Sequence, residues 1–232
     1  MPRKLVIYLA FFLLLGVSAR LLLSLESPAV MGVNWATSLA GGTPTPAPPS
    51  QETPLPVAAS VQAFYQGDPR IGWDSRTQYT TWWPSACSPA ALTMVLRAWG
   101  TNTSIGAVLD HLIAHKAITP QSGLLNAGAL AAVASEYGFQ AKTFWHLTAQ
   151  QVARLTVQGV PVLADVVDAK RQTAYPDFVV GHWLVVVGVS QNQIEVRDSS
   201  GYHIRSLSPA TFHILFTGIS VVVWRGASIS LP

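Results

Sequence analysis

The sequence predicts an α+β fold in which a helical N-terminal half packs on an antiparallel sheet formed by the C-terminal half. Two observations support this prediction. Before residue 160, apolar residues recur at helical spacing, and the segments end at Gly100, Gly138 and Gly159. After residue 160, the pattern changes to short β-branched runs separated by turn residues. Helices followed by strands favour this class over alternating βαβ units.

Helix-start signals define the elements of the first half. Ser88 and Pro89 indicate the start of one helix, because serine is a preferred N-cap and proline suits the first helical position. Thr148 and Gln151 have the spacing of a capping box at the start of another. The predicted helices span residues 88–99, 103–116, 126–137 and 148–158.

The second half contains short runs typical of strands. The most apolar of them begins at His182, and the polar residues Gln191–Gln193 predict a hairpin turn after it. This hairpin places the end of the predicted strand 194–198 beside the start of the predicted strand 182–189. The predicted strands span residues 161–167, 182–189, 194–198, 202–207 and 219–224.

Residues 1–25 have the pattern of a signal peptide or a transmembrane anchor. Arg3 and Lys4 precede an uncharged apolar run, Leu5–Ala19, whose length suits a signal peptide. Extending the run through Arg20 to Leu25 gives a length that suits a membrane span. Both alternatives place the rest of the chain outside the cytoplasm, either secreted or anchored to the membrane.

The rest of the chain divides into a linker at 26–60 and one domain at 61–232. Gly41–Pro56 contains six prolines, which predict an extended and unpacked tether. The residues from Val61 onward are enough for one domain.

Composition excludes several classes of protein. The chain has 232 residues, of which 50% are hydrophobic and 11% charged, so disorder throughout is excluded. Lys and Arg total 14 against 11 Asp and Glu, but three of the basic residues lie in the first 25 positions. The remaining charges balance, so no nucleic-acid partner is expected. No glycine-rich phosphate loop occurs, and no cofactor is expected.

Cys87 is the only cysteine, so no disulfide can form within the chain. It stands at the start of a predicted helix, where unpaired N–H groups and the positive end of the helix dipole favour a thiolate. Its own N–H group is also placed to contribute to an oxyanion hole. The alternative is a small apolar residue that packs under the helix.

His182 and Asp198 are the candidate partners of this thiol. His182 begins the most apolar strand, and the hairpin brings Asp198 near it. A thiol and a carboxylate would satisfy both imidazole nitrogens. The alternatives are a buried structural histidine and an aspartate that only stabilises a turn. His111 and His115 have metal-ligand spacing, but the position of the zincin glutamate is occupied by Leu112, so no metal is expected.

Three segments together resemble a known family. SACSPAALTMVLRAWG, GHWLVVVGV and VRD are similar, in order and spacing, to the bacteriocin-processing (double-glycine leader) family of papain-like cysteine peptidases. The resemblance covers roughly residues 75–225 and implies a papain-like fold. It further implies that Cys87 is the nucleophile, that His182 is the general base and acid, and that Asp198 orients the imidazole.

Two positions depart from the family pattern. Ser88 stands where the family often has glycine, which is expected to tighten the approach of substrate there. The family also carries a glutamine about six residues before the nucleophile as an oxyanion donor, where this chain has Thr81. Gln78 is the nearest glutamine and is the candidate for that role, with a backbone donor as the alternative.

The sequence therefore predicts an exported thiol hydrolase that cleaves peptide bonds through an acyl-enzyme. The expected substrates are peptides or the peptides of the cell wall. Two alternatives stay open: an acyl transferase that uses the same three residues, and a surface-binding domain in which they have no catalytic role.

Overall fold

The computed structural model describes residues 57–168, 181–226 and 229–231. The predicted signal or anchor at 1–25 and nearly all of the predicted linker lie outside the described residues. Among the residues that are described, no helix has both the length and the hydropathy needed to cross a membrane. The packed chain includes Val57 and Ala58, which are buried in a short helix, so the domain extends further towards the N-terminus than the predicted start at Val61.

Most helices precede the main sheet, as predicted. All four predicted helices are found, with each end within two residues of its predicted position. The helix before Cys87 was not predicted. The helices are α1 (Val57–Ser60), α2 (Arg76–Trp82), α3 (Cys87–Ala98), α4 (Ile105–Ala114), α5 (Gly128–Glu136), α6 (Ala149–Val157) and α7 (Pro209–Leu215).

The start of α3 differs from the prediction. The helix begins at Cys87 with Ala86 as its N-cap, so Ser88 is inside the first turn and does not cap it. The first hydrogen bond of the helix runs from Ala90 N–H to Ala86 O, at 3.0 Å. Pro89 is tolerated in this turn because its missing N–H would have had no helical acceptor. The prediction that Ser88 and Pro89 lie at the start of a helix is therefore correct, and the prediction that Ser88 is its N-cap is wrong.

The C-terminal half supplies most of an antiparallel sheet of six strands, with the spatial order β3-β8-β4-β5-β6-β7 in the described part of the chain. Strand β3 comes from the helical half and was not predicted. A separate two-stranded hairpin, β1-β2, follows α4. The strands are β1 (Ile118–Thr119), β2 (Gly123–Leu124), β3 (Gln140–Phe144), β4 (Val162–Val167), β5 (Gly181–Ser190), β6 (Gln193–Arg197), β7 (Ser206–Leu207) and β8 (Phe216–Trp224).

The β5–β6 hairpin has the predicted turn. Gln191 and Asn192 form its two-residue loop, with φ angles of +48° and +59°. Two left-handed residues give a turn of type I′, whose twist matches that of the flanking strands. Ser190 therefore pairs with Gln193, and the end of β6 returns beside the start of β5.

Strand β7 is shorter than the predicted strand at 202–207. Only Ser206 and Leu207 pair with β6. The preceding residues form a turn in which His203 has a φ of +50°, and Ile204 N–H donates to a carboxylate oxygen of Asp198 at 3.2 Å. A backbone donor used in this way cannot also form a sheet hydrogen bond, which explains the difference.

Apolar side chains cover both faces of the sheet. Leu163, Val185 and Val221 belong to the core that the sheet forms with α3, α4 and α5. Their neighbours along the strands point to the other face, where the core includes residues of α6 and α7. Because both faces are buried, the central strands are continuous apolar runs and do not alternate with polar residues.

The core on the second face supplies a direct test of this packing. Phe212 is fully buried in α7, and its ring stacks on that of Phe216. We expect Phe212→Ala to lower the free energy of unfolding by about 3–5 kcal/mol, through lost burial and the resulting cavity. Ile214→Ala, in the same helix at an exposed position, should change it by less than about 0.5 kcal/mol. Urea denaturation of both variants measures the difference, and equal losses would contradict the described packing.

Candidate active site

Cys87 lies at the first residue of α3 and is partly exposed. Since the helical hydrogen bonds begin at Ala90 N–H, the amides of Cys87 and Ser88 have no acceptor within the helix. The helix has no acidic residue in its first turn to compensate the positive end of its dipole. The sulfur therefore stands where an anion is favoured.

His182 and Asp198 form a buried pair. His182 Nε2 and Asp198 Oδ1 are 2.7 Å apart, with 13% of the histidine side chain and none of the aspartate side chain exposed. The β5–β6 hairpin causes this contact, because it places the residue after β6 beside the start of β5. With Nε2 occupied by Asp198, Nδ1 is the nitrogen left to interact with Cys87.

The turn after β6 holds the Asp198 carboxylate in a fixed orientation. Oδ1 also accepts a hydrogen bond from Ser200 N–H at 2.8 Å. Oδ2 accepts from the Ser200 hydroxyl at 2.6 Å and from Ile204 N–H at 3.2 Å. The aspartate therefore both stabilises the turn and binds the histidine, so the two interpretations of its role apply together.

The charges in this group favour an ionised arrangement. Burial acts to lower the pKa of His182, but its hydrogen bonds to Asp198 and Cys87 and their charges raise it to about 10. Burial acts to raise the pKa of Asp198, whereas His182 and the hydrogen bonds from Ser200 lower it to about 2. The arrangement thus stabilises an imidazolium beside the Asp198 carboxylate, with Cys87 as its second hydrogen-bonding partner. The structure brings Cys87, His182 and Asp198 together.

Gln78 is engaged elsewhere. Its Nε2 donates to Asp110 Oδ1 at 3.0 Å and to Gly106 O at 3.4 Å, and its Oε1 accepts from Asp74 N–H at 3.1 Å. Both partners of Nε2 belong to α4. The side chain therefore links α2 to α4, and this geometry gives no support to the prediction that Gln78 is an oxyanion donor.

Ser88 and the tryptophans close in sequence to Cys87 and His182 fall into buried and exposed groups. Ser88 is fully buried, so its side chain does not narrow the approach of substrate as expected. Trp183 and Trp82 pack in or against the core on the helical face. Trp83 is exposed and stacks on Tyr79, so of these three tryptophans it is the one at the surface, shortly before α3.

Asp165, on β4, lies near the imidazole of His182. Burial raises its pKa to about 6, against the opposing effects of a hydrogen bond from Thr217 and the charge of His182. A Cβ at Gly181 would lie 3.0 Å from Asp165 Oδ1. The glycine before His182 thus leaves room for this carboxylate. Local sequence does not reveal this proximity, since the pairing of Asp165 with Trp183 is a tertiary feature.

His111 and His115 bind one carboxylate. His111 Nδ1 and His115 Nε2 each lie 2.5 Å from an oxygen of Glu136, which joins α4 to α5. The hydrogen bond with His115 is the main cause of a lowered pKa at Glu136. In residues 57–168, 181–226 and 229–231, no group of three or more His, Cys, Asp or Glu side chains is arranged to hold a metal ion.

Comparison with known proteins agrees with this fold. The chain is similar to a protein from Bacillus anthracis described as a C39-like peptidase, at 13% identity and a TM-score of 0.52, over 73% of this chain and 97% of that one. It also matches the peptidase domain of Streptococcus ComA, a bifunctional ABC transporter, at 20% identity and a TM-score of 0.49. That match covers 67% of this chain and 98% of the other. No curated protein matches the chain.

The family comparison is more specific. The model of the Peptidase_C39 like family matches residues 71–213, which is more than half of the chain and includes Cys87, His182 and Asp198. The papain-like architecture predicted from the sequence is confirmed, with the helical half packed on the antiparallel sheet. The chain belongs to the Peptidase_C39 like family.

Proposed function

We propose that this protein is a cysteine peptidase that hydrolyses peptide bonds through an acyl-enzyme on Cys87. One observation carries the proposal: the imidazole of His182 interacts with Cys87 while its Nε2 is held by Asp198 at 2.7 Å. A nucleophile, a base and a group that orients the base are the components of nucleophilic catalysis. Membership of a peptidase family supports peptides as the class of substrate.

The positions of these groups support the following steps. The Cys87 thiolate attacks the carbonyl carbon, and the imidazolium of His182 protonates the amine as the carbon–nitrogen bond breaks. A water molecule then attacks the thioester and gives a proton to the now neutral imidazole. The carbon–sulfur bond breaks, which releases the acid product and restores the thiolate–imidazolium pair. Asp198 keeps its charge throughout and fixes the orientation of the ring.

Backbone groups are the best candidates for stabilising the oxyanion. The N–H of Cys87 lies in the first turn of α3 and has no acceptor within the helix. An amide in this position is able to donate to the oxygen of a tetrahedral intermediate. Because the Gln78 amide is bonded to α4 and to Asp74, the side-chain donor predicted from the sequence is not part of this proposal.

We also propose that the domain acts outside the cytoplasm. The apolar run Leu5–Leu25 after Arg3 and Lys4 supports this location, as does the proline-rich stretch that follows. Whether residues 1–25 are removed decides between a secreted and an anchored enzyme.

The first prediction from the proposed function concerns peptide hydrolysis. We expect Cys87→Ala to abolish cleavage of a peptide library, and His182→Ala to lower kcat by about 10²–10⁴-fold, because proton transfer is lost. His213→Ala, at an exposed position on α7, is the matched control and should retain wild-type activity. Mass spectrometry of the products provides the readout.

The same reaction with an added amine separates hydrolysis from acyl transfer. Acid products alone support the peptidase. Amide products formed in preference to acids would contradict hydrolysis and support the acyl transferase. Cleavage by the Cys87→Ala variant would contradict the role of Cys87 as the nucleophile.

The second prediction concerns the pH dependence of stability. The Asp198 pKa is lowered from 3.8 to about 2, so its contribution is complete above pH 3.8 and is lost as the pH falls towards 2. The His182 pKa is raised from 6.5 to about 10, so its contribution is complete below pH 6.5 and is lost as the pH rises towards 10. The stabilising effect of the pair is therefore greatest between these two limits.

Asp198→Asn tests this window. We expect the wild type to exceed this variant in free energy of unfolding by about 2–4 kcal/mol near pH 5, with a smaller difference at pH 9. Urea denaturation at a series of pH values measures it. A difference that does not vary with pH would show that the pair is not ionised in the folded state.

The third prediction concerns the N-terminal segment. In a host with a secretory pathway, the domain should be accessible to added protease in intact cells, because residues 1–25 direct export. The mass of the mature protein reports whether these residues are removed. A domain protected in intact cells and released only by lysis would contradict the proposed location.

A further inference from the structure

Gln66 is a buried residue that connects the two halves of the candidate site. It lies in the segment between α1 and α2, and only 7% of the residue is exposed. Its side chain reaches a residue directly after Asp198 and a residue shortly before Cys87. No pattern in the sequence marks this glutamine, because the chain positions it joins are 17 and 133 residues away.

The side-chain amide makes one hydrogen bond to each half. Nε2 donates to Trp83 O at 2.8 Å, in the 3₁₀ turn Trp83–Ser85 that leads into α3. Oε1 accepts from the hydroxyl of Ser199 at 2.7 Å. Ser199 is fully buried and follows Asp198 directly. An amide suits this position because one end must donate to a carbonyl while the other accepts from a hydroxyl.

The backbone of the same residue is held independently. Gln66 N–H donates to Ser199 O at 2.9 Å, and Gln66 O accepts from Trp73 Nε1 at 3.1 Å. The hydroxyl of Tyr79 adds a hydrogen bond to Gly67 O at 3.0 Å. These bonds do not depend on the side chain at position 66. Replacement of that side chain is therefore expected to leave the loop in place.

We propose that Gln66 is a positioning residue that fixes the turn before Cys87 relative to the turn after Asp198. It acts through Trp83 and Ser199 and does not touch the reacting atoms. The orientation of the imidazole towards the sulfur depends on the separation of these two turns, because Asp198 holds the ring while α3 holds the thiol. This inference rests on the proposed function, since it assigns a task in pairing Cys87 with His182.

Alkylation of Cys87 by iodoacetamide is the readout. Because Cys87 is the only cysteine, the mass of the adduct reports this thiol alone. The rate is measured from pH 5 to pH 9 in the wild type, His182→Ala and the variants of position 66. A thiolate paired with an imidazolium reacts at low pH, whereas an unpaired thiol reacts only as the pH approaches its own ionisation.

Three variants separate the hydrogen bonds. Gln66→Met removes both bonds of the amide at nearly constant volume and should slow alkylation at pH 6.5 by at least about tenfold, with a pH profile like that of His182→Ala. In Gln66→Glu, the ionised carboxylate cannot donate a hydrogen bond to Trp83 O, whereas the protonated carboxyl group can. Its rate relative to the wild type should therefore recover at the acid end of the series. Ser199→Ala removes one bond and should have a smaller effect.

Gln62→Met is the matched control, since Gln62 is an exposed glutamine in the same loop. It should alkylate like the wild type. Near-UV circular dichroism confirms that each variant is folded under the conditions of the assay. If Gln66→Met does not fold, the pH-dependent recovery of Gln66→Glu and the loss in Ser199→Ala decide the question.

The outcomes distinguish this inference from the proposed function. Fast alkylation of the wild type that depends on His182 but not on Gln66 or Ser199 would overturn the positioning role alone. A lower melting temperature of Gln66→Met with an unchanged alkylation rate and pH profile would also overturn the positioning role, because it indicates that Gln66 only stabilises the fold. A wild-type rate and profile equal to those of His182→Ala would overturn both proposals.

Discussion

The hydrogen bond between His182 and Asp198 is the interaction on which the site depends. It occupies Nε2 of a nearly buried imidazole at 2.7 Å and leaves the other nitrogen to Cys87. An imidazolium in this position would be costly without a paired anion. The carboxylate meets that requirement because Ser200 and Ile204 also donate to it, so that it remains ionised while buried.

Local sequence patterns predicted the elements that carry these residues. The turn at Gln191–Asn192 and the apolar run after His182 indicated the β5–β6 hairpin, because both are short-range features. Strand β3 was missed because Gln140–Phe144 contains polar residues and joins the edge of the sheet only through its pairing with β8. The strand predicted at 202–207 was too long, since Ile204 N–H donates its hydrogen bond to the Asp198 carboxylate and not to a neighbouring strand.

The candidate site was predictable only in part. Cys87, His182 and Asp198 have distinctive local settings, and their order along the chain matches a known family. The hydrogen-bond partners of Gln78 could not be deduced from the sequence, because only the folded chain brings its amide into contact with Asp110. Gln66 could not be found either, since its partners depend on how the segment before α2 packs between the two halves. Contacts between distant segments are decided by the fold, not by local spacing.

The protonation state of His182 tests this account most directly. In a ¹⁵N-labelled protein at pH 8, assigned by comparison with His182→Ala, both ring nitrogens of His182 should carry a proton, since the interactions with Asp198 and Cys87 raise its pKa to about 10. Alkylation of Cys87 removes one of those partners and should shift the ring towards the neutral form. A neutral imidazole at pH 8 with the thiol intact would contradict the ion pair and, with it, the proposed mechanism.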